Sequence, residues 1–197
     1  MTWSVLNDIV DGGMVMTETK KLVQPWTIWI TGLSGSGKTT ICKELVKILD
    51  SRSSRYEYIR ADDIRQFLTP NPTFSAQEKE LIYRSSILIA QLMNSQGINA
   101  IIDSVDGRGE GRKLGKEAIS NFKVIWVDCP LDLCIEREKF RQDRAEIYDL
   151  YQRALQGELK LPGLGYDYAY DKSPLLKIDS SILTARESAE AIAEFLI

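Results

Sequence analysis

The sequence predicts an α/β fold: a parallel sheet covered by helices on both faces, with a helical lid. Three observations carry that expectation. A glycine-rich loop, Gly32-Leu33-Ser34-Gly35-Ser36-Gly37-Lys38-Thr39-Thr40, lies between an apolar run and a segment of helical spacing. Apolar runs of strand length recur at 56–59, 99–104, 122–128 and 175–179, with helically spaced or polar segments between them. Residues 136–161 are rich in Arg, Lys, Glu and Tyr without a strong apolar stripe; they read as the lid, which with its return spans about residues 136–170. At 197 residues and 44% hydrophobic content, the chain is long enough for one well-buried domain.

Composition removes much chemistry. There is no histidine, so a Ser-His pair and a His-ligated metal are both excluded, and proton transfer must fall to carboxylates, Lys or Tyr. The net charge of −3 gives no broad basic surface for nucleic acid, so an anionic ligand must be met by local charge. Cys42, Cys129 and Cys134 lack zinc spacing and sit in apolar segments, as reduced core residues of a cytoplasmic protein would. No stretch approaches the ~18 apolar residues that cross a bilayer. The partner expected is therefore a small molecule, not nucleic acid or a membrane, with a homodimer left open.

Taken in order, residues 1–24 contain Asp11-Gly12-Gly13 and read as an arm, in which Trp3, Val5, Leu6 and Ile9 can form a short helix. The domain proper is expected over 25–197. Residues 26–31 read as a buried strand, and Ile41, Leu45, Ile48 and Leu49 give the following segment its helical face. The loop between them fits the pattern Gly, four residues, Gly, Lys, Ser or Thr, which marks the sheet as P-loop NTPase-type. Gly32, Gly35 and Gly37 let the backbone curl its amides around phosphate oxygens. Lys38 supplies a point charge for the β- and γ-phosphates, Thr39 a hydroxyl for Mg²⁺, and the helix its positive dipole end. The binding set is Gly32, Leu33, Ser34, Gly35, Ser36, Gly37, Lys38, Thr39 and Thr40.

Residues 56–59 form the second strand and end in Arg60-Ala61-Asp62-Asp63-Ile64-Arg65. Ligands of an open parallel sheet bind at the carboxyl ends of its strands, so Asp62, Asp63 and Arg65 should face the loop, one aspartate also serving as a helix cap. Ser75-Ala76-Gln77-Glu78 has the form of a capping box opening a helix to about residue 96. Leu81, Ile82, Ser85, Leu88, Ile89, Leu92 and Met93 are its expected apolar stripe, with Lys79, Tyr83 and Arg84 on another face. Asp103 closes the third strand as a Mg²⁺ ligand or as a cap, and residues 107–111 form a glycine-rich loop with Arg108, Arg112 and Lys113 on or beside it. After the fourth strand, Pro130 starts a helix at Leu131. Arg137, Arg141, Arg144 and Arg153 are candidates for closing over phosphate. Thr184-Ala185-Arg186-Glu187 caps the final helix.

These landmarks, taken together, resemble the adenylylsulfate kinases. Residues 28–40 look like that family's first strand and loop, and Ala61-Asp62-Asp63-Ile64-Arg65 resembles its Gly-Asp-Asn-Val-Arg segment. Phe74-Ser75 resembles its Phe-Ser. Val127-Asp128-Cys129-Pro130-Leu131, Cys134 and Arg137, Leu150-Tyr151, Ala154, Gly157-Glu158, Gly163, Tyr170 and Pro174 echo later motifs, so the resemblance covers about residues 25–180. It implies transfer of the γ-phosphoryl of ATP, with Mg²⁺, to the 3′-hydroxyl of adenosine 5′-phosphosulfate. Asp62 then receives the hydroxyl proton and belongs with Thr39 and Asp103 near the metal; Arg65, Phe74, Lys79, Arg84 and Arg153 serve the acceptor, and Arg137 the nucleotide. The departures lie on the acceptor side. The family's Asp-Arg and Asn-Ile-Arg-Arg are Glu78-Lys79 and Ile82-Tyr83-Arg84-Ser85 here, its Ile-Ser-Pro is Ile102-Asp103-Ser104, and a second stacking Phe is Leu161. Ile82 thus stands where an amide would read the acceptor. A related nucleotide-like acceptor is the alternative; a nucleotide-hydrolysing switch is disfavoured, since no Asn-Lys-x-Asp motif is present.

Overall fold

The computed structural model describes residues 24–140 and 150–196. Nearly all of the expected arm, together with Arg141 and Arg144, lies outside the described residues.

Strand β1 (Thr27–Thr31) runs into α1 (Lys38–Ser51), followed by β2 (Tyr56–Arg60), α2 (Ala61–Leu68), α3 (Ala76–Ser95) and β3 (Asn99–Asp103). The chain continues through α4 (Glu110–Ala118), β4 (Phe122–Asp128), α5 (Leu131–Lys139), α6 (Leu150–Leu155), the two-residue β5 (Leu161–Pro162) and β6 (Gly165–Tyr166), β7 (Leu176–Asp179) and α7 (Ala185–Leu196). Five strands pair in parallel in the order β2-β3-β1-β4-β7. The α/β expectation holds. Of the stretch read as helical lid, the described part is helical only in the end of α5 and in α6, and it returns through β5 and β6.

Alternation along β1 divides the core. Ile28 and Ile30 face α1 and α7 in one cluster with Leu45, Leu49, Ile125 and Ile192, while Trp29 faces α3 and α4 with Tyr83, Ile87, Ile102 and Phe122. A smaller cluster around Cys129, Cys134 and Tyr151 packs Leu33 against α5 and α6. All three cysteines are buried and free, and burial, with Cys129 beside it, raises the Cys134 thiol to about 12.

Helix α3 corrects the sequence reading. Ile82, Tyr83, Ser86, Ile87 and Ala90 are buried, whereas Leu81, Leu88 and Leu92 are about half exposed. Apolar residues cover so much of this helix that spacing alone does not say which third meets the sheet. The Tyr83 ring against Trp29, 5.8 Å between centroids, shows the face that does. Ile82 is wholly buried and does not line the cavity described below, so the position expected to face an acceptor is a core position.

Helix α4 is the second correction, since its start was read as loop. Gly111 and Gly115 lie one turn apart, and both are sites of close approach. A Cβ on Gly111 would sit 2.5 Å from Trp29 Cη2 and 2.9 Å from Tyr83 Cγ; one on Gly115 would sit 2.4 Å from the Phe122 ring. Here glycine permits helix-to-sheet contact rather than a turn.

The capping box at α7 forms in full, and the one at α3 forms only on the serine side. Glu187 N donates to Thr184 Oγ1 at 3.2 Å, and Glu187 Oε2 accepts from Thr184 N at 2.8 Å. At α3, Glu78 N donates to Ser75 Oγ at 3.2 Å, but the Glu78 carboxylate reaches further back. Its Oε2 accepts from Thr73 N at 2.5 Å, Thr73 Oγ1 at 2.9 Å and Phe74 N at 2.9 Å. Burial alone would raise the Glu78 pKa; these donors and Arg65 overcome it and hold the carboxyl below its ordinary range.

Two outcomes are expected. Gly111→Ala gains helix propensity but drives a methyl into two rigid rings, for a net loss of about 1–3 kcal/mol, read as a lower urea midpoint at unchanged slope. A raised midpoint would show that α4 can move off Trp29. Because the folded pKa of Glu78 is lowered, its contribution is present above the unfolded carboxyl pKa, about 4.3, and is lost as pH falls through the folded value. Glu78→Gln should therefore be less stable than the parent at pH 7, with the gap closing as pH drops below about 4. A gap independent of pH would mean that the carboxylate charge contributes nothing.

Candidate active site

The loop between β1 and α1 is fastened from three sides. Leu33 O accepts from Lys38 Nζ at 2.8 Å, Ser34 O from Tyr151 OH at 2.8 Å, and Ser36 O from Ser180 Oγ at 2.8 Å. Gly37 caps α1 at φ 94, in the left-handed region, and a Cβ on Gly35 would lie 2.2 Å from Cys134 O. The lysine is buried at 7% exposure, so its ammonium lies over the loop at the helix N-terminus. Thr40 follows on the exposed side of the first turn.

Beside the loop is a corner of hard oxygens. Thr39 Oγ1 donates to Asp103 Oδ2 at 2.7 Å, and Tyr58 OH donates to the same oxygen at 3.0 Å. Burial, reinforced by Cys42 and Asp103, pushes the Tyr58 phenol far up, so it remains a donor. A hydroxyl and a carboxylate side by side suit Mg²⁺, which keeps several waters and takes one or two protein oxygens beside substrate phosphates. Among the described residues no group of three or more Cys, Asp or Glu forms a closed cage for a metal.

Lys38, Thr39 and Asp103 line a cavity of about 650 Å³ that Asp62, Arg65, Phe74 and Lys79 also line. Asp62 and Asp63 lie in the first turn of α2, where the helix dipole favours a carboxylate. Asp62 Oδ1 accepts from Arg65 Nη1 at 2.9 Å. Arg65 Nε stands 3.3 Å from Glu78 Oε1, and its guanidinium lies over the Phe74 ring at 5.1 Å. Phe74 has φ 55, a left-handed backbone that Glu78 pins through the Phe74 amide. One capping glutamate therefore sets both an arginine and an aromatic ring. Lys79 is half-buried, and its ammonium pKa is lowered by burial first, then by Arg108 and Arg65. Arg108 rests over Tyr166 at 5.0 Å. A wall with several cations and one flat ring is suited to a planar group bearing negative charge.

Arg137 takes a different place. Its Nη1 approaches Ser180 Oγ at 3.2 Å and Cys129 Sγ at 3.5 Å, its Nη2 donates to Ser180 O at 2.9 Å, and a Cβ on Gly37 would come within 4.0 Å of Nη1. The arginine thus borders the phosphate loop. Arg84 pairs instead with Glu80 on the exposed side of α3, and Arg153 with Glu158 at 2.8 Å; neither lines the cavity. Ser180, Tyr58 and Tyr166 had no functional signal in the sequence and Tyr151 stood only among the motifs of the resemblance, since the role of each is defined by a partner distant in the chain. Arg108 stood out only as a charge beside a glycine-rich stretch.

The comparisons accord with this geometry. The Adenylylsulphate kinase family profile matches residues 24–179. A probable adenylyl-sulfate kinase of Pyrococcus abyssi is 34% identical over 173 residues, covering 86% of this chain and 94% of its own. One from Archaeoglobus fulgidus is 33% identical over 156 residues, covering 79% and 96%. The fold matches that of the Mycobacterium tuberculosis APS kinase in complex with AMPPNP and APS, with TM-score 0.77 at 24% identity over 88% of this chain and 98% of that one. With its phosphate loop, its acidic second-strand terminus and these relatives across most of its length, the chain belongs to the adenylylsulfate kinase family.

Proposed function

We propose that this protein transfers the γ-phosphoryl group of ATP to the 3′-hydroxyl of adenosine 5′-phosphosulfate. The observation that carries the reading is one cavity lined both by Ser34, Lys38 and Thr39 of the phosphate loop and by Asp62, Arg65, Phe74 and Lys79. The relatives named as adenylyl-sulfate kinases support the same acceptor.

Phosphoryl transfer asks a protein mainly for alignment and charge neutralisation. The loop amides and the α1 N-terminus hold the phosphates, and the Lys38 ammonium favours the charge that develops as the γ-phosphoryl leaves. Thr39 and Asp103 would hold Mg²⁺, which when bound neutralises phosphate oxygens. Asp62 orients the acceptor hydroxyl and takes its proton, with Arg65 fixing the carboxylate through Oδ1. Phe74 stacks the acceptor base, while Arg65 and Lys79 meet its anionic group. Arg137, tied to Ser180 beside Gly37, borders the nucleotide side.

Lys38→Ala should lower kcat by roughly two to three decades, the worth of one charge-assisted contact made at the transition state. Near-normal turnover in a folded variant would remove the loop lysine from the mechanism. Asp62→Asn should retain ATP binding and lose about two to four decades of transfer. An inactive Asp63→Asn beside an active Asp62→Asn would assign the base to the neighbouring carboxylate. ADP formation measured with adenosine 5′-phosphosulfate, with nucleoside monophosphates and without acceptor tests the activity itself; equal rates in all three would identify a hydrolase.

A further inference from the structure

At the edge of the cavity, where Asp106 joins its lining and Arg112 lies outside it, is an ion pair with no part in the chemistry above. Arg112 and Asp106 side chains are 3% and 0% exposed, with Arg112 Nε 3.0 Å from Asp106 Oδ2. The carboxylate also accepts from Gly111 N at 3.2 Å and Arg112 N at 2.8 Å, and Asp106 itself sits at φ 39. Arg112 Nη2 donates to Asp106 O at 3.1 Å and, across the chain, to Ala169 O at 2.5 Å, while its guanidinium lies over Tyr168 at 5.4 Å. Ala169 N returns a hydrogen bond to Gly107 O at 2.8 Å. The Tyr168 hydroxyl is 2.6 Å from Thr31 Oγ1, which donates to Val105 O at 2.6 Å. Residues 105–108 and Tyr166 line the cavity from these two segments, and a Cβ on Gly107 would lie 2.7 Å from Tyr166 OH.

We propose that Asp106 and Arg112 are positioning residues, a clasp that joins the wall bearing Arg108 to the segment bearing Tyr166 and Ala169 and so shapes the acceptor side of the site. The inference rests on the acceptor reading above. A buried ion pair adds little net stability over apolar residues of the same size, and Arg112 Nη1 is left buried without a hydrogen-bond partner among the described residues. What the pair does secure is geometry. Arg108 is held on Tyr166 near two other cations, Arg65 and Lys79, an arrangement whose mutual repulsion needs a restraint from behind.

Arg112→Lys keeps the charge but not the fork, so one ammonium no longer serves both Asp106 and Ala169. The expected result is an acceptor KM about tenfold higher, with ATP affinity by calorimetry within about twofold of the parent. On an Arg108→Ala background the same change should add less than half of that effect on a logarithmic scale, since the clasp acts through Arg108. Without any ligand, amide exchange at Ala169 should be faster than in the parent. Asp106→Asn, which tolerates the positive φ, should give the same split if Arg112→Lys does not fold. Unchanged Ala169 exchange, an acceptor KM equal to the parent's, or parallel losses of ATP and acceptor binding would each overturn the proposal. A parent that fails to phosphorylate adenosine 5′-phosphosulfate would overturn the activity reading instead, and Ala169 exchange would still decide the clasp.

Discussion

Parallel pairing in one register is the constraint on which the site depends. Ile30 pairs with Asp103, Asp103 with Arg60, and Thr31 with Trp126, so β1, β2 and β3 end at the same edge. The phosphate loop, the carboxylate that meets Thr39 and the helix bearing Asp62 all leave from that edge. A slip of one residue would turn Asp103 and every other side chain of its strand to the opposite face. The register is protected because both faces of β1 are buried, Ile28 and Ile30 on one side and Trp29 on the other.

What the sheet aligns, longer contacts then fasten. Ser180, after β7, holds Ser36 of the loop and receives Arg137 of α5, which links the last strand, the lid helix and the phosphate loop through one hydroxyl and one carbonyl. Tyr151 ties α6 to Ser34 in the same way. Loop amides can be aimed at phosphate without the phosphate's help only if the carbonyls between them are engaged elsewhere, and these contacts engage them.

The two walls differ in how they are built. The wall proposed for the nucleotide is local in sequence, with Gly32 to Thr39 in one loop. The wall proposed for the acceptor is assembled from α2, the Thr73–Phe74 turn, the start of α3, residues 105–108 with Glu110, and Leu161, Pro162 and Tyr166. Glu78 organises its first half by binding the Phe74 amide and facing Arg65. The segment around Asp106 and Arg112 organises its second.

By itself the sequence determined what depends on neighbours in the chain. The strand, loop and helix around Lys38, the acids Asp62 and Asp103 at or just after strand ends, and the helix caps at Ser75 and Thr184 were all legible, because hydrogen bonds within a few residues need particular residue types at fixed spacing. Tertiary structure alone decided what depends on choice among equals. It chose which side of α3 is buried, since isoleucines stood on one side and leucines on the other; it made helix of the glycines at 111 and 115, since only the rings of Trp29 and Phe122 reveal that they serve close packing. It also drew Arg108 into the cavity and left Arg84 and Arg153, paired with Glu80 and Glu158, out of its lining. An arginine carries the same charge wherever it stands, and only the packing around it decides whether that charge faces a ligand or water.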